Sequence, residues 1–354
     1  MHNEPAPRHR RRIASAAALV IATSSLLLAS CNDSSSPSAA PGKPTSTTPA
    51  GDDPTDVADL TEPASCTVSD EPLHLEHSVL GHTYGADLHR PSSGPQDERL
   101  PVVIDLHGVY SDGPTQAALS RFTELADRAG AGGDGFLVVE PTGQVGPIDG
   151  ATGWEVAALE EPARDDAQYL TQLIDTLVSE HCAEASHVYL AGYSNGGFFA
   201  AEYACAHPDK IAAIATVAGF DHPHDCTPTV PVIALHGTED PVVPWEEGGT
   251  SILVADQPLP ALAEALARGA EPQFAESAAA AGCDATPQRN TVTEDVTLSI
   301  WTGCKEGADH QLYEISGGGH TWPGAAEQPD GDLLGPTSPS IDATTTIWDF
   351  FRTR

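Results

Sequence analysis

The sequence predicts an α/β fold with a mostly parallel central sheet covered by helices on both faces. From residue 76 onward, short apolar runs rich in β-branched residues alternate with longer amphipathic stretches. This alternation is typical of parallel sheets, whose strands are joined through helices. Polar or glycine-rich loops also follow three of the apolar runs directly, and in such sheets functional groups gather at the carboxyl ends of strands. We expect a single domain of this class over residues 63–354.

The predicted elements follow one another in the order that this fold requires. An opening hairpin is expected from the runs at 77–81 and 84–88. Apolar composition predicts strands at 100–106, 136–140, 187–192, 211–217, 230–235 and 311–315. Apolar residues at helical spacing predict helices near 114–130, 163–181, 197–204 and 341–351, the last with Ile347, Phe350 and Phe351 available for packing. The Ala-rich residues 246–282 either cover the functional cleft as a lid or only support it.

The first 62 residues predict export and attachment rather than folding. Residues 1–30 read as a lipoprotein signal peptide, with a basic start and an apolar stretch at 13–29 that is short for a membrane span. The stretch ends in Leu-Ala-Ser-Cys, so Cys31 is the expected lipidation site and membrane anchor; a true transmembrane anchor is the alternative. Residues 31–62 are rich in Ser, Pro, Thr, Gly and Asp, which predicts a disordered linker. We therefore expect an extracytoplasmic protein, lipid-anchored at the cell membrane or secreted.

Charge and cysteine content narrow the possible partners. The formal net charge is −35, and lysine occurs at only three positions, so nucleic acid is not an expected partner. Six cysteines remain after Cys31, and an even number in an exported chain predicts disulfides. Their spacings match no zinc pattern, so we expect no metal site at them; we also expect a monomer. Six cysteines allow 15 pairings; we expect Cys205 with Cys226, Cys283 with Cys304, and Cys66 with Cys182.

Three residues have the chemistry and the chain order of a nucleophilic site. Ser194 lies in Gly192-Tyr193-Ser194-Asn195-Gly196, between a predicted strand and a predicted helix. Asp240 follows the strand 230–235, and His320 lies in a glycine-rich loop after the strand 311–315. A serine hydroxyl needs a base to remove its proton, and the base needs an acid to orient it. We therefore expect Ser194, His320 and Asp240 to act together, with Glu239 as a rival acid.

An oxyanion formed at the serine requires two backbone N–H donors. The residue after the nucleophile, Asn195, is the expected first donor. The loop after the strand 100–106 is the expected source of the second, with Val109 favoured and Gly108 or Tyr110 as alternatives.

These segments together resemble the polyhydroxybutyrate depolymerase/feruloyl esterase group of α/β-hydrolases. The matching motifs are Leu-His-Gly at 106–108, Glu-Pro-Thr-Gly at 140–143 followed by Gly-Trp at 153–154, the serine motif, His-Gly-Thr-Glu-Asp-Pro-Val-Val-Pro at 236–244, and Gly-Gly-His-Thr-Trp-Pro-Gly at 318–324. The resemblance covers roughly residues 66–354 and implies the α/β-hydrolase fold. One departure is the loop after Gly108, which lacks the Gly or Cys common in the group.

The resemblance implies hydrolysis of carboxylic esters through an acyl-enzyme, without a metal or an organic cofactor. Trp154 and Trp322 fall within the matching motifs and are expected to line the substrate site. The expected substrates are small or oligomeric esters, such as hydroxyalkanoate oligomers or feruloyl and acetyl esters of carbohydrates. A serine peptidase of the same fold and a non-catalytic surface lipoprotein that only binds are the alternatives.

Overall fold

A ten-stranded sheet forms the centre of the part of the chain that the computed structural model describes. The described residues are 73–94, 96–146, 148, 150–159, 164–223, 225–255, 259–326, 328 and 331–354. The strands of the main sheet are β1 (Leu73–Val79), β2 (His82–His89), β3 (Leu100–Leu106), β4 (Leu137–Thr142), β7 (Ala183–Tyr193), β8 (Ala213–Val217), β9 (Val232–Gly237), β10 (Gln288–Thr291), β11 (Val296–Trp301) and β12 (His310–Ile315). Two short strands, β5 (Gln144–Val145) and β6 (Thr152–Gly153), pair separately beside it.

The strand order in the main sheet is β1-β2-β4-β3-β7-β8-β9-β12-β11-β10. The six central strands, from β4 to β12, run parallel, and an antiparallel pair closes each edge. Strands β8 and β9 are buried along their whole length, as expected for parallel strands covered on both faces. The predicted mostly parallel sheet is confirmed, and it brings the carboxyl ends of β3, β7, β9 and β12 to one edge.

Helices cover both faces of the sheet. The described helices are α1 (Gly113–Ser120), α2 (Phe122–Gly132), α3 (Asp166–Glu180), α4 (Asn195–Ala206), α5 (Pro260–Ala267), α6 (Ala270–Ala280), α7 (Gly331–Leu334) and α8 (Ala343–Phe351). One hydrophobic core lies under α3 to α6 and contains Tyr169, Phe199 and Phe274. The other lies under α1, α2 and α8 and contains Phe122 and Phe351. The alternation of side chains along each strand divides the apolar residues between these two cores.

Several elements differ from those that the sequence predicts. The helix expected over 114–130 is two helices, because Arg121 has a left-handed backbone with φ of 60° that ends α1. The Ala-rich segment contains α5 and α6, whose buried residues pack against the first core, so this region supports the sheet. The sequence prediction also omitted β10 and β11, which extend the sheet beyond β12.

Two of the three predicted disulfides are present. Cys205 is bonded to Cys226, and Cys283 is bonded to Cys304. Cys182 is also disulfide-bonded, but Cys66 lies outside the described residues, so the pairing of these two stays a prediction. Disulfides persist in oxidising compartments, which supports an extracytoplasmic location.

The predicted signal peptide, the lipidation site Cys31 and the linker also lie outside the described residues. Within the described ranges, no helix combines the length and the apolar character needed to cross a membrane.

A row of carboxyl groups crosses the sheet on the α1 side. The strand register places Asp87 of β2 beside Glu140 of β4, and Glu140 is one position beyond the last β3–β4 pair, next to Asp105. Burial raises the pKa of Asp105 to about 7 against the opposing hydrogen bonds from Ser120 and Gln116. Burial, together with the charges of Asp105 and Asp87, raises the pKa of Glu140 to about 8. Among the described residues, one oxygen of Glu140 has no hydrogen-bond partner, so ionising it inside the fold is unfavourable.

Candidate active site

Ser194 lies at the sharp turn between β7 and α4, as the sequence predicts. Its backbone has φ of 54° and ψ of −119°, a strained conformation for a residue with a side chain. The Ser194 N–H donates to the carbonyl of Val217 in the neighbouring strand, at 2.9 Å. Gly196 lets the turn sit against the end of β3, because a Cβ there would overlap the carbonyl oxygen of Leu106. The turn therefore holds the serine hydroxyl at the edge of the sheet, beside the loops after β9 and β12.

Asp240 and His320 meet Ser194 through a continuous chain of hydrogen bonds. The Ser194 Oγ lies 2.9 Å from the Nε2 atom of His320, and the Nδ1 atom of His320 lies 2.8 Å from the Oδ2 atom of Asp240. His320 and Asp240 are 4% and 6% exposed, so water is largely excluded from the contact between them. With the proton on Nδ1, His320 donates to the carboxylate and can accept the serine proton at Nε2. Within the described residues, the carboxylate of Glu239, the rival acid, makes no hydrogen bond to His320 or Ser194.

The carboxylate of Asp240 is held by the backbone and by a second histidine. Its Oδ1 atom accepts the N–H groups of Val242 and Val243, each at 2.8 Å. Its Oδ2 atom also lies 3.3 Å from the Nε2 atom of His236, which is 2.9 Å from the Val243 carbonyl. Burial opposes ionisation of Asp240, but the two histidines and the Val243 N–H outweigh it, so the pKa of Asp240 is lowered. Asp240 is thus an oriented anion next to His320.

The loop after β3 is fixed by His107, which is fully buried. Its Nδ1–H donates to the Gly108 carbonyl at 2.7 Å, and its Nε2 atom accepts the Gly143 N–H at 2.9 Å. Burial lowers the pKa of His107 to about 4, so the ring is neutral and keeps this tautomer at neutral pH. In a trans peptide the C=O and N–H groups point in opposite directions. Holding the Gly108 carbonyl therefore also fixes the direction of the Val109 N–H.

The three proposed second donors differ in their availability. The Tyr110 N–H already donates to the Thr152 carbonyl at 3.1 Å, which removes this alternative. Gly108 lies against the nucleophile, since a Cβ there would be 3.1 Å from the Cβ of Ser194. The N–H of Val109 has no hydrogen-bond partner within the described part of the chain. This arrangement favours Val109 with Asn195, whose N–H is at the start of α4, where helix N–H groups lack intrahelical acceptors.

Neither of the two tryptophans predicted to line the site is open to it. Trp154 is 2% exposed, stacks on Phe199 with ring centroids 5.3 Å apart, and donates from Nε1 to the His107 carbonyl at 2.9 Å. Trp322 is 1% exposed, packs edge-on against Phe122 and donates to Thr344. Their expected role as substrate contacts is corrected: both rings are packing residues that brace the loops of the site.

Asn195 has a second contribution besides its backbone. Its side-chain oxygen accepts the Trp154 N–H at 2.6 Å, and its amide donates to the Trp154 carbonyl at 3.1 Å. This double contact ties the start of α4 to the loop after β6.

His107 and His236 were not among the predicted site residues. Both lie at carboxyl ends of parallel strands. His107 comes directly after β3, and His236 is the last residue but one of β9. This position could have identified them as candidate site residues, because functional groups gather at the carboxyl edge of a parallel sheet.

One cluster in the described residues has the donor atoms of a metal site, namely Cys283, Cys304 and His310. Both sulfurs are joined in a disulfide, and the ring nitrogens of His310 bond the Ser277 hydroxyl and the Ala308 carbonyl. The sulfurs are bonded to each other and the imidazole nitrogens have hydrogen-bond partners, so these atoms are not available as metal ligands.

Comparisons with known proteins agree with this geometry. Residues 153–255 match the family model described as Phospholipase/Carboxylesterase. The chain is 28% identical to "Putative esterase NocK" of Nocardia uniformis subsp. tsuyamanensis, over 77% of this chain and 80% of that protein. It is 30% identical to Feruloyl esterase B of Piromyces equi, over 65% of this chain and 41% of that protein. It is 26% identical to the bifunctional acetylxylan esterase/xylanase XynS20E of Neocallimastix patriciarum, over 75% of this chain and 33% of that protein.

The chain thus spans less than half of the length of the last two relatives. The resemblance to the polyhydroxybutyrate depolymerase/feruloyl esterase group is confirmed, and the chain has the α/β-hydrolase fold. These three relatives are named as esterases.

Proposed function

We propose that this α/β-hydrolase is an extracytoplasmic serine esterase that cleaves carboxylic esters through an acyl-enzyme. The observation that carries the proposal is the hydrogen-bonded chain from Ser194 through His320 to Asp240, at 2.9 and 2.8 Å. The three residues lie at the carboxyl edge of the sheet. Their order along the chain, Ser, then Asp, then His, is the order found in α/β-hydrolases. Ser194 is the nucleophile, His320 the general base and acid, and Asp240 the residue that orients His320.

The first half-reaction transfers the acyl group to the enzyme. As the Ser194 Oγ bonds to the ester carbonyl carbon, its proton passes to Nε2 of His320. The tetrahedral intermediate then loses the alcohol, which takes that proton from His320. Asp240 stabilises the imidazolium formed between these two steps, and His236 and the Val242 and Val243 N–H groups hold Asp240 in place.

The second half-reaction returns the enzyme to its starting state. A water molecule loses a proton to His320 as its oxygen bonds to the acyl carbon, and the bond to Ser194 breaks as the serine regains its proton. In both halves negative charge forms on the carbonyl oxygen. The N–H groups of Asn195 and Val109 stabilise this charge, and His107 keeps the peptide of Val109 in the required direction.

The relatives indicate the kind of ester. Their names refer to feruloyl and acetylxylan esters, so feruloyl and acetyl esters of carbohydrates are the proposed substrates, with hydroxyalkanoate oligomers as a further class.

The test uses the purified chain and chromogenic substrates of two types. We expect turnover of p-nitrophenyl acetate and of methyl ferulate, no release of p-nitroaniline from peptide anilides, and loss of ester turnover in Ser194→Ala. Peptide cleavage without ester cleavage would instead indicate a peptidase. Unchanged ester turnover in Ser194→Ala would refute the assignment of the nucleophile. If neither an ester nor a peptide is cleaved, the non-catalytic binding protein is the remaining alternative.

We also propose that Cys31 carries a lipid that anchors the mature protein to the membrane. The Leu-Ala-Ser-Cys sequence before it supports this proposal. Cells grown with an alkyne fatty acid should label the full-length chain but not its Cys31→Ser variant, and the variant should leave the membrane fraction. Labelling that survives this substitution would contradict the anchor.

A further inference from the structure

A cleft of about 480 Å³ opens between α6 and the outer strands β10 to β12. Its volume falls within the range of sites for small ligands, ~300–1,000 Å³. The helix turns Glu271, Ala275 and Ala279 toward it, residues that are four positions apart and share one face. The two alanines are too small to fill the space between helix and sheet. Phe274, on the other side of α6, packs into the core instead.

The cleft is held open from both ends. The disulfide between Cys283 and Cys304 joins the segment after α6 to the segment after β11 at one end. At the other end the Glu271 N–H donates to the Trp245 carbonyl at 3.1 Å and fixes the start of α6. A cleft with braced walls is largely formed before a ligand arrives, so little binding energy is spent on ordering it.

The lining combines aromatic surface with hydroxyl and carboxylate groups. Trp245 and Trp301 contribute apolar surface. Ser299 is 3% exposed, and its hydroxyl has no hydrogen-bond partner within the described ranges, so it is left for a ligand. The Nη2 atom of Arg289 lies 2.6 Å from the Oε2 atom of Glu314 across the sheet.

The balance of charge in the cleft excludes anions. Glu271, Asp284 and Glu314 contribute three carboxylates against the single guanidinium of Arg289, in a chain of formal net charge −35. A neutral ligand with many hydroxyl groups fits this lining best. It can donate to the carboxylates, accept from Arg289 and Ser299, and place its C–H faces on the tryptophans.

The cleft is connected to the proposed active site through two side chains. Trp245 lines the cleft and also packs against His236, with ring centroids 5.9 Å apart. His236 in turn contacts Asp240 at 3.3 Å. A ligand in the cleft therefore lies two side chains away from the proposed catalytic acid.

We propose that this cleft binds a neutral oligosaccharide and holds the carbohydrate part of the ester substrate. The naming of the ligand as part of the substrate rests on the proposed esterase function, whereas binding of the sugar itself does not. Occupation of the cleft lowers KM for esters attached to an oligosaccharide and leaves simple esters unaffected.

The first experiment measures binding without catalysis. Xylotetraose is titrated into the Ser194→Ala variant by calorimetry, at low salt and at 0.5 M NaCl. We expect saturable binding that salt does not weaken. The further substitution Ala279→Trp, at an exposed position of α6, should fill the cleft and weaken binding at least tenfold. Ala261→Trp, at an exposed position of α5, is the matched control and should bind as before.

The second experiment measures catalysis in the chain with Ser194 intact. Ala279→Trp should raise KM for a feruloylated xylo-oligosaccharide at least fivefold and leave kcat/KM for methyl ferulate unchanged. No binding of xylotetraose, or binding that Ala279→Trp does not weaken, would overturn the proposal. Binding of spermidine in place of the sugar, lost at 0.5 M NaCl, would overturn the class of ligand. If no ester is cleaved but xylotetraose binds and Ala279→Trp weakens that binding, the esterase function is refuted and the sugar site is not.

Discussion

Replacing Glu140 by Gln should stabilise the protein, and the gain should grow with pH. Glu140 is 5% exposed and lies in the same row as Asp105 and Asp87. Burial and these two charges raise its pKa from the ordinary value of 4.5 to about 8. The unfolded chain therefore ionises Glu140 several pH units before the folded chain does. The stabilisation from holding the proton is complete below about pH 4.5 and is lost as pH rises through 8.

The magnitude follows from the separation of the two pKa values. Each unit of separation is worth about 1.4 kcal/mol, so ionisation of the unfolded chain costs the folded state about 1 kcal/mol at pH 5. The cost grows to about 3 kcal/mol at pH 7 and about 4 kcal/mol at pH 8. Gln cannot ionise, and one oxygen of Glu140 has no hydrogen-bond partner to lose in the part of the chain that the structure describes. Glu140→Gln should recover most of this free energy.

The assay is urea unfolding of wild type and variant at pH 5, 7 and 8. Titrating groups that do not interact with Glu140 cancel in the difference between the two chains, which leaves Glu140 and its coupling to Asp105 and Asp87. Glu264→Gln, an exposed position on α5, controls for the loss of one negative charge and should change the free energy of unfolding by less than ~0.5 kcal/mol. A Glu140→Gln effect that is destabilising, or equal at pH 5 and pH 8, would refute the reasoning.

Three further predictions concern the site and its frame. Asp240→Asn should keep the fold but lower kcat by about 10⁴, because the amide favours the wrong tautomer of His320; a loss below tenfold in steady-state kinetics would exclude Asp240 as the orienting acid. His107→Asn should lower kcat about 100-fold with little change in KM, because it frees the Gly108 carbonyl and misaligns a donor to the oxyanion; a change confined to KM would contradict this role. Replacing Cys205 and Cys226 by Ser should cost about 3 kcal/mol, since the bond spans 21 residues; thermal unfolding at an unchanged Tm would refute it.

The order of strands and the meeting of three distant residues were predictable from the sequence. Buried parallel strands are short apolar runs, and the rule that functional groups gather at their carboxyl ends selects Ser194, Asp240 and His320. The structure brings these three together as predicted, while their catalytic roles stay a proposal until they are tested.

The corrected roles of Trp154 and Trp322 show that a residue's position in a motif does not reveal the direction of its side chain. Trp154 and Trp322 are next to the matching motifs, but the direction of a side chain from a loop depends on tertiary packing, and both rings point into the cores. His107 and His236 were not predicted as site residues for a related reason: their contacts with Gly143 and Asp240 depend on how the loops fold back.

The missed strands have a local explanation. β10 is exposed along its length, and β11 mixes buried and partly exposed residues. Neither has the continuous apolar run that identifies the buried strands at the centre of the sheet.

The most direct test of the central claim is a rapid-mixing experiment with p-nitrophenyl acetate followed by mass spectrometry of the quenched enzyme. We expect a burst of p-nitrophenol close to one equivalent of enzyme when deacylation is slower than acylation, and an acetyl group on the peptide that contains Ser194. In Ser194→Ala both should disappear. An acetyl group on another residue, or turnover that persists in Ser194→Ala, would contradict a serine esterase centred on Ser194, His320 and Asp240.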